Sequence, residues 1–298
     1  MTSSDIPDRA SGFRLIVFVT CALIAACAMP VRHGFDVARR IEHRYSVAGP
    51  YPVSRLRTPA TFGRPGGVAY IPVNPDGPVP LVIWQNGTGE TITTYDAIAR
   101  HLASWGLAVI GSDDRQMGSG DRAIALLEDS KLWSRTPDHP LFGRILPQTF
   151  AFLGSSQGAV GSINAHTRSA EGRRATALAV HGTPTQQALD FFRLDLSYDA
   201  TSITAPVLIL TGTQDAFISP VRLNRNLFDS LSGPGLRVFG VAKCADHIAL
   251  ADDAGVFRGY LTAWLTFHLL GDPLAAQAFT GPTEIMTNPG WSVTDVAP

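Results

Sequence analysis

Cysteine and charge are both scarce in this chain. Only three of its 298 residues are cysteine, and only 16% carry charge. Three cysteines are too few for a disulfide-built scaffold or a cysteine-rich metal cluster. Lys plus Arg number 24 against 25 Asp plus Glu, for a net charge of −1. No basic run favours nucleic acid, and no acidic tail favours a cationic partner. Internal repeats and low-complexity tracts are also missing. What is abundant is apolar: 45% of the residues are hydrophobic, enough to bury a sizeable core in one large or two small domains.

The longest apolar run lies at the N-terminus. Arg9 and Arg14 precede Leu15-Ile-Val-Phe-Val-Thr-Cys-Ala-Leu-Ile-Ala-Ala-Cys27. It is shorter than the roughly 20 residues a spanning helix needs. A positive region, an apolar region and then small residues is the order of a signal peptide, so 1–28 is expected to direct export. Ile24-Ala25-Ala26-Cys27 also resembles a bacterial lipobox, in which the cysteine is lipidated and anchors the mature chain to the membrane. Ordinary cleavage after Ala26 or Ala28 and an uncleaved anchor are the alternatives. Cys21 then leaves with the signal, Cys27 is lipidated or lost, and Cys244 remains alone. No intrachain disulfide is expected.

Residues 29–58 hold several Arg, His and Pro residues with little apolar periodicity and read as a tether. From 59 to 298, apolar runs alternate with segments of helical spacing. Strands are expected at 67–73, 81–85, 107–113, 149–154, 175–181, 206–211 and 236–242. Helices are expected at 95–105, 120–131, from Gln157 onward, at 220–231 and at 254–269. Such alternation predicts an α/β fold whose mainly parallel sheet has helices on both faces.

Three groups can carry chemistry on that scaffold. Gly154-Ser155-Ser156-Gln157-Gly158 is a G-x-S-x-G pattern where a strand meets a helix. The five letters alone are weak in a chain with 28 glycines. Their place is informative, because a turn that exposes a nucleophilic serine at the sheet's carboxyl edge is so tight that it needs small residues on both sides. Thr211-Gly-Thr-Gln-Asp215 puts Asp215 beyond a later strand, where a carboxylate can orient a histidine. Asp215 could equally cap the following helix. Ala245-Asp246-His247 follows the next strand. Of eight histidines, only His181 also ends a strand at that edge. His247 is preferred because it completes the order Ser156, Asp215, His247. Cys244, Asp246 and His247 match no zinc spacing and lack a fourth ligand.

Acyl transfer through Ser156 would also need two N–H donors for a tetrahedral oxyanion. Gln157, next after the serine, offers one. Thr88, in the glycine-containing loop Asn86-Gly-Thr-Gly-Glu90 after an early strand, offers the other. An ordinary β–α turn is the alternative for that loop.

With these residues in place, the chain from about residue 50 resembles the α/β-hydrolases. More narrowly it resembles the bacterial cutinase and polyester-hydrolase group, related to dienelactone-hydrolase-like and chlorophyllase-like esterases. The segments that carry the likeness are "NGTGETITTYDAIARHLASWGLAVI", "GSSQGA", "LILTGTQDAFISP", "GVAKCADHIAL" and the tail "FRGYLTAWLTFHLLGD" with "TNPGWSV". The resemblance implies a serine carboxylesterase without a large cap, working through Ser156, Asp215 and His247. No metal or organic cofactor is implied, and the expected form is a monomer acting on a small ester or a polymer surface. Thr88 stands where polyester hydrolases carry an aromatic, Gln157 replaces their usual Met, and Pro184 falls near their stacking Trp. The group's C-terminal disulfide is impossible with one mature-domain cysteine. Degradation of aromatic polyesters is therefore not expected. A thioesterase, a lactonase or a phospholipid acyl-hydrolase would use the same triad, and an inactive surface binding protein is the reading from another class. Between His181 and Pro206, Phe191, Phe192, Leu194, Leu196 and Tyr198 are expected to form a short helix packed by its apolar face, leaving a shallow site. Part of an acyl pocket is the other use for those aromatics.

Overall fold

The computed structural model describes residues 40–60, 63–251 and 254–298. The expected signal segment, Cys27 and residues 29–39 of the expected tether lie outside them. Among the described residues, no helix is long and apolar enough to cross a membrane.

The remainder of the tether belongs to the packed domain. Residues Arg40–Ser46 form helix α1, and Val53–Thr58 form the edge strand β1. Ile41 and Tyr45, four apart and hence on one helical face, are both buried. Tyr45 Oη donates to Asp272 Oδ2 at 2.5 Å. The N–H groups of Ile41 and Glu42 donate to the Glu284 carboxylate. Two apolar residues among many polar ones left too weak a period for the helix to be read from sequence.

From β1 the chain continues through β2 (Gly67–Pro72), β3 (Val79–Gln85), α2 (Asp96–Ser104) and β4 (Ala108–Ser112). Helix α3 (Asp121–Trp133), β5 (Ile145–Ser155), α4 (Gln157–Arg168), β6 (Ala177–His181) and α5 (Gln186–Phe191) follow. Then come β7 (Val207–Gly212), α6 (Val221–Ser230), β8 (Arg237–Ala242), α7 (Arg258–Leu270), α8 (Pro273–Ala276), α9 (Glu284–Thr287) and β9 (Trp291–Ala297). The nine strands form one sheet in the order β1-β2-β4-β3-β5-β6-β7-β8-β9. β3 to β8 pair in parallel, while β1 with β2, β2 with β4 and β8 with β9 are antiparallel. The fold is α/β, as the alternation predicted.

Side-chain alternation along the strands divides the core in two. On β3, Val82 and Trp84 face a layer formed with α1, α2 and α7, whereas Leu81 and Ile83 face a layer formed with α3, α4 and α6. All four are fully buried, each contributing about 1.5–3 kcal/mol by leaving water. A strand buried on both faces reads as a continuous apolar run, which is why β3 and β4 were legible. β1 and β9 were not. They are edge strands, and much of β9 is exposed, so neither needs an apolar run. β5 begins at Ile145, four residues before its expected start. Its pairing with β3 shifts register between Pro80 and Leu81, and the irregular Pro147-Gln148-Thr149 breaks the apolar pattern there.

The parallel strands β3, β5, β6, β7 and β8 end at one edge of the sheet. Thr88, Ser156, Gln157, Asp215 and His247 all lie beyond those ends.

Candidate active site

The turn after β5 begins at Ser155 and reverses at Ser156, which has φ 54° and ψ −122°. This is a backbone region that a serine occupies only under constraint. The constraint is close packing. A Cβ on Gly154 would lie 2.0 Å from the Gly158 carbonyl oxygen, and one on Gly158 would lie 2.0 Å from that of Gln85. Glycine at both positions lets α4 start against the ends of β3 and β5. The Ser156 N–H donates to the His181 carbonyl at 2.9 Å, and its side chain turns outward, half-buried.

Three side chains converge there. His247 Nε2 lies 2.9 Å from Ser156 Oγ, and His247 Nδ1 lies 2.6 Å from Asp215 Oδ2. Asp215 is 4% exposed, and its other oxygen accepts the Ser219 N–H at 2.9 Å. Burial works against its charge. The hydrogen bond and charge of His247, together with the Ser219 N–H, outweigh that and hold the carboxyl below its ordinary value. With Asp215 ionised, Nδ1 is assigned the proton and Nε2 accepts from the serine hydroxyl. A hydroxyl in that position can be deprotonated as it attacks an electrophile.

His181, the rival, is placed elsewhere. It is fully buried, with Nδ1 3.1 Å from Ser155 Oγ rather than Ser156. Burial, reinforced by His247 at a ring separation of 6.4 Å, pushes its pKa down to about 3. It is neutral at ordinary pH.

The loop after β3 has its donors almost wholly committed. The Asn86 N–H goes to Met117 Sδ, Gly87 to Tyr95 Oη, Gly89 to the Arg115 carbonyl and Glu90 to the Gly87 carbonyl. Among the described residues, none accepts from Thr88, nor from the N–H of Gln157 at the start of α4. Both are the donors named from sequence. Gln85 pairs with Gly154 across β3 and β5, so the loop leaves the sheet beside the elbow. The Gln157 side chain ties down the next loop, accepting the Met117 N–H and donating to Gln116 Oε1, both at 2.9 Å. A cavity of about 500 Å³ lies there, walled in part by Gln116, Gln157, Arg193 and Leu196.

Two expectations are corrected. The β6–β7 connection does contain a short helix, but α5 buries Ala188 and Leu189, not the phenylalanines. Phe191 is 60% exposed and Phe217 51%. Together with Phe192 they form an edge-to-face cluster, Phe191 lying 5.3 Å from Phe192 and 5.2 Å from Phe217. Helical spacing does not continue past Phe192, because Arg193 takes a positive φ of 53°. Cys244, secondly, is disulfide-bonded. The chain's other cysteines, Cys21 and Cys27, lie outside the described residues. The expectation of no disulfide assumed that neither survives processing, and the bond also denies Cys244 to any metal.

Sequence reasoning missed Gly182, where an added Cβ would come within 3.0 Å of His247 Cε1. It also missed Ser219, which fixes Asp215. A glycine directly after a strand end that carries a histidine is the signal that could have found the first. The second leaves none. A scan of protein-family models finds no match to the chain, and no curated protein matches it either.

Proposed function

We propose that this protein is a serine-dependent carboxylic ester hydrolase of the α/β-hydrolase fold. The observation that carries the reading is the Asp215–His247–Ser156 array, with hydrogen bonds of 2.6 and 2.9 Å, beside two uncommitted N–H groups. The exchanged order of β4 and β3 within the parallel sheet supports the fold assignment. In this mechanism Ser156 Oγ attacks the ester carbonyl as its proton moves to His247 Nε2. Asp215 steadies the resulting imidazolium. The N–H groups of Thr88 and Gln157 hold the oxyanion, and His247 then protonates the departing alcohol. Water frees the acyl group by the same route. Metal and organic cofactors have no step to perform.

The site is shallow, since the β6–β7 connection holds only the six-residue α5 among the described residues. The exposed phenylalanine cluster supports apolar esters as substrates. Export is part of the proposal. A mature Cys27 can carry a lipid or a disulfide, not both. Mass spectrometry of the mature N-terminus, with and without reduction, separates these fates.

Fluorophosphonate labelling tests the activity. The reading expects a single adduct at Ser156 and turnover of short p-nitrophenyl esters. Folded protein that neither labels nor turns over would instead favour a binding protein. Replacing Phe191 and Phe217 by serine should spare short soluble esters and slow those with long apolar groups.

A further inference from the structure

Behind the nucleophile, Ser155 belongs to a second array that the proposed chemistry does not use. His181 Nδ1 lies 3.1 Å from Ser155 Oγ, and the Ser155 side chain lies within reach of Tyr95 Oη. Tyr95 Oη in turn donates to Glu90 Oε2 and accepts the Gly87 N–H at 3.1 Å. The buried Nε2 of His181 has no partner among the described residues. Burial first, then the charge of Glu90, raises the Tyr95 phenol far above its ordinary value, so it stays a donor. The Tyr95 ring is fully packed, 4.6 Å from that of Trp84.

This array ends in the loop that holds Thr88. Gly87 and Glu90 flank that residue, and both are bound to the one phenol. A Cβ at Gly87 would lie 2.5 Å from Glu90 Oε2 and 3.1 Å from Tyr95 Oη, so a larger residue there would displace the Glu90 carboxylate from the phenol. On the other side, Gly89 exchanges two bonds with Arg115, its N–H donating to the Arg115 carbonyl and its carbonyl accepting from the guanidinium.

We infer that Tyr95 and Glu90 are positioning residues that lock the 86–90 loop in place, fixing where the Thr88 N–H points. The inference rests on the esterase reading for what Thr88 binds, but not for the lock itself. Tyr95→Phe keeps the ring and removes both loop bonds. It should lower kcat on p-nitrophenyl butyrate by about tenfold to a hundredfold, as small displacements of a donor do. KM should stay within about twofold, because an oxyanion donor acts mainly after binding. Glu90→Gln, which keeps an acceptor for the phenol, should retain kcat within about threefold, whereas Glu90→Leu should match Tyr95→Phe. Tyr70→Phe, which loses the part-buried bond to Asp96 at 2.7 Å, should lower thermal stability and leave kcat unchanged. Amide exchange at Gly87 should speed up in Tyr95→Phe, an effect readable without any substrate. Unchanged Gly87 exchange, or a Tyr95→Phe kcat within twofold of wild type, overturns the lock. Faster exchange in a protein that hydrolyses no ester upholds the lock and defeats the esterase reading instead.

Discussion

Adjacent serines on one turn serve two different hydrogen-bond arrays. Ser156 joins His247 and Asp215, and its hydroxyl stands at the open edge of the sheet. Ser155 joins His181, Tyr95 and Glu90, and 4% of it is exposed. Each array has a serine, a histidine and a carboxylate. What separates them is the access of water. In the outer array the serine hydroxyl, half-buried at the sheet edge, is set to donate to the histidine, so its oxygen can become a nucleophile. In the inner one the serine and the histidine are both buried. Residue types alone thus do not distinguish the two arrays. The reversal at Ser156 does, by sending alternate side chains of one strand end to opposite environments.

The largest effects should come from breaking the outer array. Ser156→Ala or His247→Ala should each lower ester turnover by about 10⁴-fold or more with the fold intact, read by kinetics beside circular dichroism. His247→Ala that stays active while a folded His181→Ala is dead would reverse the assignment. Asp215→Asn should cost about 10³- to 10⁴-fold, because the amide favours the wrong tautomer of His247. Ser155→Ala should act mainly on stability, costing about 1–3 kcal/mol by denaturant melting because it leaves the buried His181 Nδ1 without its partner. Fluorophosphonate should still label Ser156 in that variant.

A pH titration sharpens the contrast further. Below 6.5 an unfolded His181 binds a proton, whereas the folded protein resists protonation there until about pH 3. Through that window the unfolded chain holds more protons, so stability falls as pH falls, by up to about 1.4 kcal/mol per unit from this group. The lowered pKa of Asp215 acts in the same direction, its contribution being lost as acid protonates the carboxylate. His181→Asn should flatten the slope of urea midpoint against pH. A variant with the wild-type slope would mean that His181 carries no such burden.

The doubly buried strands were legible because they must be apolar throughout, and the elbow because its turn needs small residues at fixed offsets. The edge elements were not. β1 and β9 bury little, and α1 is anchored by Glu284 and Asp272 from more than 200 residues away. The phenylalanines near 191 were misplaced because apolar content was read as packing, and a positive φ at Arg193 intervened. Cys244 was misjudged because its bonding depends on distant cysteines.

By itself the sequence determined an alternating α/β chain, the tight turn around Ser156, and the chain order that prefers His247. These follow from local sterics and periodicity, which neighbouring residues settle among themselves. Which histidine meets which serine, which N–H of the 86–90 loop is left uncommitted, and that Tyr95 should bind that loop at both Gly87 and Glu90 were decided only by tertiary structure. Hydrogen-bond partners far apart in the chain are chosen by the register of β3, β5 and β6 and by the direction of side chains at their ends. Neither has a signature in the residues themselves.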